Sequence, residues 1–274
     1  MAKDASAIVL SGNGTNCEIE TSHACSLAGF ERVDVVTIWE LVHGDVALDQ
    51  YHLVVLPGGF LDGDDLGSAK AQANRLLHSR IESSGEALFE QFRRVIADGK
   101  LIMGICNGFQ LMTKLGLLPG HNGSYGRQTT TLTWNDAGRF EDRWVWLRAN
   151  PRSSCVFTTG VDTMYLPVRH GEGKFVARDS EELDRVIAGN QVVFSYVDST
   201  GFRPTQQYPD NPNGSQAAVA GMCDASGRVF GLMPHPEAYL TRTNHPRWTR
   251  EELPEEGMGL ILFRNAYRYV KEQL

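Results

Sequence analysis

Between Gly99 and Gly120 the chain reads GKLIMGICNGFQLMTKLGLLPG, and the rest of the sequence is organised around this stretch. Leu101 to Ile105 is a short apolar strand, after which Phe109, Leu111, Met112, Leu115 and Leu118 recur at helical spacing. Cys106 stands at the junction, with Gly104 and Gly108 two residues away on either side. Glycines so placed permit the tight strand-to-helix turn of a nucleophile elbow, which holds a reactive side chain clear of the backbone. A thiol there meets the positive end of the helix dipole, so its thiolate is favoured. The N–H of Asn107 would face an oxyanion formed by attack on a carbonyl. A buried cysteine at a strand end is also common in α/β cores, so a catalytic reading needs a partner base.

The 274 residues suffice for a substantial core. A net charge of −7 without a run of Lys or Arg argues against a nucleic-acid surface and against an anionic membrane. No stretch has the length of a signal peptide's apolar region or a membrane span, so a cytoplasmic location is expected. Cys17, Cys25, Cys106, Cys155 and Cys223 are odd in number and scattered, with no C-x-x-C pair, which points to neither a disulfide framework nor a zinc site.

In chain order, Ala7–Leu10, Val33–Ile38 and Leu53–Leu56 read as strands, with a helix ending near Gly29 after the first. Strands alternating with helices imply parallel pairing in a doubly wound α/β sheet, whose sites lie at the carboxyl ends of the strands. Gly12-Asn13-Gly14 reads as a structural βα turn, since the dinucleotide fingerprint and the P-loop are both absent. The Pro57-Gly58-Gly59-Phe60 turn is the natural second half of an oxyanion hole. Asp62, Asp64 and Asp65 lack a calcium-loop spacing and read as acids at a helix N-terminus. One or two amphipathic helices are expected over residues 68–98, interrupted at Ser83-Ser84-Gly85.

From Gly120 to about Ala177 the pattern changes. Thr129–Trp134, Trp144–Arg148 and Met164–Val168 read as strands without long helices between them, so antiparallel members are expected. Trp134, Trp144 and Trp146 read as packing, and Arg169-His170-Gly171-Glu172-Gly173 as a polar turn that could wall a site. Gln191–Val197, Ala217–Cys223 and Val229–Met233 are further strands, and a helix closes the chain from Gly257 to about Lys271. The long loops at 201–216 and 241–256 are the natural docking segments. With no repeat or linker, residues 1–274 are read as one domain.

Pro234-His235-Pro236-Glu237 supplies the base. The prolines push their predecessors towards extended conformations, in which residues two apart project to one side. His235 and Glu237 would then act together, giving a Cys106-His235-Glu237 triad with the oxyanion met by N–H groups of Gly58, Gly59 and Asn107.

GICNGFQ, PGGF, HGEG and LMPHPE, with SGNGTNCE, GGFLDGDDLG, GLLPG and YPDNPNGS, resemble the class I glutamine amidotransferases, more narrowly the glutaminase subunits and domains of phosphoribosylformylglycinamidine synthases. The resemblance covers nearly the whole chain. It implies a flavodoxin-like fold with a mostly parallel sheet, helices on both faces and some antiparallel strands. It also implies hydrolysis of L-glutamine through a γ-glutamyl thioester on Cys106, with ammonia passed to a synthase partner. That partner would use ATP and Mg to convert formylglycinamide ribonucleotide to formylglycinamidine ribonucleotide, and this chain would bind no cofactor or metal itself. Gln110 and Phe60 would contact glutamine, and His170 and Glu172 would border the site or the partner interface. Where the family often has arginine, Ala238 follows Glu237, and the GRFEDRW stretch and long loops look more like the glutaminase domain of the large single-chain synthases. Two other readings stay open at this stage. A free-standing cysteine hydrolase of the same fold would work without a partner, and a non-catalytic α/β binding module would leave Cys106 unreactive.

Overall fold

A computed structural model of the protein describes residues 4–200 and 203–274, so the first two positions of the 201–216 loop lie outside the described residues. Among them is a nine-stranded sheet whose order brings distant parts of the chain together. β1 (Ser6–Ser11), β2 (Arg32–Thr37), β3 (Leu53–Leu56), β4 (Leu101–Ile105) and β11 (Val229–Leu232) form a parallel half in the order β2-β1-β3-β4-β11. The sheet continues antiparallel through β10 (Val219–Cys223), β9 (Val192–Val197), β6 (Glu141–Ala149) and β7 (Thr163–His170). β3, β4 and β11 are buried along their whole length, as continuous apolar runs in a covered parallel sheet must be.

Helices cover the parallel half: α1 (Glu18–Ala28), α2 (Ile38–His43), α3 (Lys70–His78), α4 (Phe89–Ala97), α5 (Asn107–Lys114) and α7 (Leu260–Gln273). The break between α3 and α4 falls where Ser83-Ser84-Gly85 places it. The second strand stops one residue early because Thr37 and Glu40 form a capping box that turns Ile38 into the start of α2. α5 ends at Lys114, so Leu115 and Leu118 pack in the core from outside the helix.

Two elements between Gly171 and Gly189 escape the sequence reading. β8 (Glu172–Ala177) pairs with β5 (Thr130–Trp134) in a separate two-stranded sheet, and α6 (Ser180–Ala188) follows, capped by the Asp179 side chain on Glu182 N at 2.8 Å. The HGEG segment is therefore not a loop: His170 ends β7, Glu172 opens β8, and only Gly171 separates them. The strand Thr129–Trp134 stands outside the main sheet, and Trp134 is exposed rather than packed. Asp62, Asp64 and Asp65 lie in the turns before α3 rather than at its first residues, and Asp62 instead pairs with Arg75 Nε at 3.1 Å.

Candidate active site

The backbone at Cys106 has φ +51° and ψ −105°, a conformation that a residue with a side chain adopts at a cost of about 1–3 kcal/mol. The flanking glycines show why the turn can be this tight. A Cβ on Gly104 would lie 2.3 Å from Met112 Sδ, and one on Gly108 would lie 1.8 Å from the Leu56 carbonyl oxygen. Helix α5 thus presses directly on the end of β3. Cys106 N donates to Leu232 O at 2.8 Å, tying the elbow to the neighbouring strand β11, and its Sγ lies 3.7 Å from Arg169 O.

Because β4 and β11 run parallel with Ile105 opposite Leu232, the residues after each strand emerge at the same end of the sheet. His235 lies three positions beyond β11, extended at φ −103° and ψ 93°, its N–H donating to Pro167 O at 2.8 Å. Pro236 then opens a short 3₁₀ turn over Pro236–Ala238, and this turn, not a continued extended chain, brings Glu237 Oε1 to 2.6 Å from His235 Nδ1. The sequence expectation of a paired imidazole and carboxylate is met by a different backbone path.

Burial by itself depresses the imidazole of His235, but the Glu237 carboxylate and Cys106 outweigh it and hold the ring well above the usual histidine range. His235 Nε2 makes no hydrogen bond of ordinary geometry, and after Glu237 it is Cys106 that does most to raise the ring. A base poised beside a thiol, and oriented from behind by a carboxylate, is the arrangement that nucleophilic acyl transfer requires.

The turn carrying Gly58 and Gly59 closes over this pair. A Cβ on Gly58 would meet His235 Cε1 at 2.9 Å, and Gly59, at φ +145°, packs so tightly on Gly14 and Thr15 that a Cβ would lie 2.7 Å from Gly14 O. The Gly12-Asn13-Gly14 turn is the support for this loop: Phe60 N and Asp62 N donate to Gly14 O and Asn13 O, both at 2.8 Å. Phe60 is 45% exposed. Asn107 opens α5, so its amide lacks an acceptor within the helix. Its side chain accepts from Leu61 N at 3.0 Å and donates to Gln110 Oε1 at 2.8 Å, while Gln110 donates onward to the Glu172 carbonyl. The Glu172 carboxylate accepts from Ser68 N at 3.2 and 3.3 Å. Asn107, Gln110 and Glu172 therefore form one brace from the elbow to the loop after β3.

His170 is buried against the same centre, Nδ1 3.1 Å from Asn135 Oδ1 and Nε2 3.5 Å from Asn213 Nδ2, with Asn213 also donating to Tyr196 OH at 3.1 Å. Burial, and then the positive charge of His235, bring its pKa down to about 3. A histidine that titrates near 3 folded and near 6.5 unfolded binds fewer protons in the native state across that interval. Its stabilising share is intact above about pH 6.5 and is lost as pH falls towards 3. Urea unfolding at successive pH values should therefore show up to about 1.4 kcal/mol lost per pH unit from this residue, a slope that His170→Asn flattens. Equal slopes in both proteins would contradict the assignment. His235, being raised, has the opposite sign: its share is full below pH 6.5 and is lost as pH rises through its folded value, so it does not contribute to the acid loss.

Sequence reasoning missed Cys17, Ser68, Asn135 and Asn213. Cys17 lies just past β1, at the same end of the sheet as Cys106, and its Sγ would be 3.2 Å from a Cβ on Gly58. Its place after a strand's carboxyl end was the available signal. The NPNG run at 211–214 held another, since buried Asn211, Asn213 and Ser215 anchor that loop against the His170 corner.

Residues 4–270 match the CobB/CobQ-like glutamine amidotransferase domain. The phosphoribosylformylglycinamidine synthase subunit PurQ of Dehalococcoides mccartyi is 45% identical over 97% of this chain and 97% of its own. The subunit of the same name from Methanococcus maripaludis strain C5 is 42% identical over 96% and 97%. Among solved structures, that of PurLQS from Thermotoga maritima contains a chain that superposes with a TM-score of 0.69 at 28% identity, covering 97% of this chain and 99% of that one. With a strained cysteine elbow, a buried His–Glu pair at the same sheet end and a domain match spanning nearly its full length, the chain belongs to the CobB/CobQ-like glutamine amidotransferase family.

Proposed function

We propose that this chain is the glutaminase component of a phosphoribosylformylglycinamidine synthase. The observation that carries the chemistry is the convergence of the Cys106 elbow and the His235–Glu237 pair after two hydrogen-bonded parallel strands. Nearly full-length similarity to subunits bearing that name supports the assignment. Cys106 Sγ attacks the side-chain carbonyl carbon of L-glutamine, and the oxyanion is met by N–H groups of Gly58, Gly59 and Asn107. His235 hands a proton to the departing ammonia, leaving a γ-glutamyl thioester. It then takes a proton from the water that attacks the thioester, and glutamate leaves as Cys106 is restored. Glu237 keeps the imidazole in the required tautomer. Phe60, Gln110, His170 and Glu172 frame the glutamine, Gln110 and Glu172 through the buried brace around the elbow and His170 from its own buried contacts with Asn135 and Asn213.

ATP and Mg are assigned to the synthase partner and none to this chain. Besides the loops at 201–216 and 241–256, the carboxyl ends of β1, β2 and β3 offer the partner a seat, since Ile19, Trp39, Phe60 and Leu66 stay exposed at the end of the sheet that carries Cys106. No described helix is long and apolar enough to cross a membrane. The five buried thiols are free, which agrees with a reducing compartment such as the cytoplasm.

Cys106 and His235 are 5% and 2% exposed, so glutamine reaches them only when the covering segments give way. Slow glutamate release from the isolated chain, rising when the synthase and its nucleotide substrate are added, is the expected result. Rapid partner-independent hydrolysis of peptides without use of glutamine would favour a free-standing hydrolase instead.

A further inference from the structure

At the amino ends of β4 and β11, the end of the sheet opposite Cys106, a cavity of about 740 Å³ opens between α4, the 122–125 segment and the turn joining β10 to β11. That size suits a small organic ligand. The buried Asp224 that lines it is already engaged. Its carboxylate accepts from Tyr125 OH at 2.8 Å, from Ser226 Oγ at 2.7 Å and from the N–H groups of Arg228 and Val229 at 3.2 and 3.1 Å. These bonds fix Tyr125 and Ser226 as walls. Arg228, which also lines the cavity, is in a different state. Its Nε is shut off from solvent with no hydrogen-bond partner, and among the described residues its guanidinium forms no ion pair. A half-buried cation left so is costly, and an arriving anion would relieve it with charge-assisted hydrogen bonds. From the α4 wall Arg93 makes only long contacts, 3.5 Å to Tyr125 O and 3.6 Å to Glu90 Oε1, and an exposed pair of that kind is worth little. In a chain of net charge −7, anions have little non-specific reason to bind elsewhere.

We propose that this cavity binds a small phosphorylated anion, its phosphate held by Arg228 and Arg93 and its body lying on Tyr125, Ile96 and Ala97. Two guanidinium forks match the charge and the three acceptor oxygens of a phosphate monoester better than those of a single carboxylate. A sugar phosphate and a nucleoside monophosphate share this chemistry. The neighbouring cavity, lined by Arg127, Arg178 and Arg185, is less suited, because Arg178 and Arg185 are already paired with Asp179 and Glu181 at 2.8 and 2.9 Å. The site stands apart from the glutaminase centre and does not rest on the function proposed for it.

The full chain, in a chloride buffer free of phosphate, is titrated calorimetrically with inorganic phosphate, ribose 5-phosphate, adenosine 5′-monophosphate and succinate. One ester per chain should bind, more tightly than inorganic phosphate and far more tightly than succinate, and the better of the two esters identifies the body that the apolar wall accepts. Arg228→Met should weaken that binding by at least about tenfold, with Arg228→Lys in between, since the charge is kept and the fork lost. Arg93→Met should weaken it by a smaller factor, and because that side chain is exposed the variant guards against a folding defect at Arg228. Cys106→Ala should bind the ester as the parent does. A parent chain that binds neither ester, or binds succinate as tightly, would overturn the proposal. So would unchanged binding in the Arg228 and Arg93 variants, or binding lost in Arg127→Met and kept in Arg228→Met.

Discussion

Replacing Cys106 with alanine is expected to lower glutamine-dependent turnover of the complex by at least about 10⁴-fold while leaving turnover with free ammonia intact. The asymmetry follows from where the residue stands. Cys106 is held at φ +51° by a turn whose two glycines admit no Cβ, and the strain serves only to present its sulfur. Alanine can occupy the same backbone, so the fold and the docking face should survive while the thioester cannot form. Glutamate release and ammonium-driven product formation, measured side by side on one preparation, separate the two activities. Residual glutaminase within about ten-fold of the parent would mean that the nucleophile lies elsewhere.

The largest stability effect is expected at Gly108. Its hypothetical Cβ falls 1.8 Å from Leu56 O and 2.6 Å from Leu56 C, both backbone atoms of a buried central strand, so no side-chain rotation relieves the clash. Either α5 lifts away from β3 or the strand shifts, and both break packing at the middle of the core. Gly108→Ala should cost more than about 4 kcal/mol, the range of the most severe substitutions, and accumulate little folded protein. Gly171→Ala is the matched control, since a Cβ there meets nothing within 4 Å and its φ is ordinary. Its urea midpoint should stay close to the parent's. A Gly108 variant as stable as the Gly171 variant would contradict the close approach of helix to strand.

These two residues also show what the sequence reveals and what it hides. The elbow is legible because its causes are local: an apolar strand, a nucleophile, two glycines and a helical repeat all fall within a few residues. The pairing of His235 with Glu237 is legible too, although for an imperfect reason, because Pro236 starts a 3₁₀ turn where an extended chain was expected. The His170–Glu172 corner is harder. Its one-residue junction between two strands depends on β8 pairing with β5, more than thirty positions earlier, a partnership that no local pattern announces. Cys17 is hidden for the same reason at greater range. Its neighbour His235 lies at the far end of the chain, and only the order β1-β3-β4-β11 in the sheet brings them together. α6 was lost among charged residues, though the Asp179 cap and Glu182 three residues on were a readable start signal.

The most direct test of the central claim is to treat the protein with a diazo-ketone analogue of glutamine and locate the adduct by mass spectrometry. One adduct on Cys106 is predicted, prevented by excess glutamine and slowed when His235 is replaced by asparagine. Labelling confined to Cys17, Cys25, Cys155 or Cys223, or labelling of Cys106 that glutamine does not compete, would contradict it.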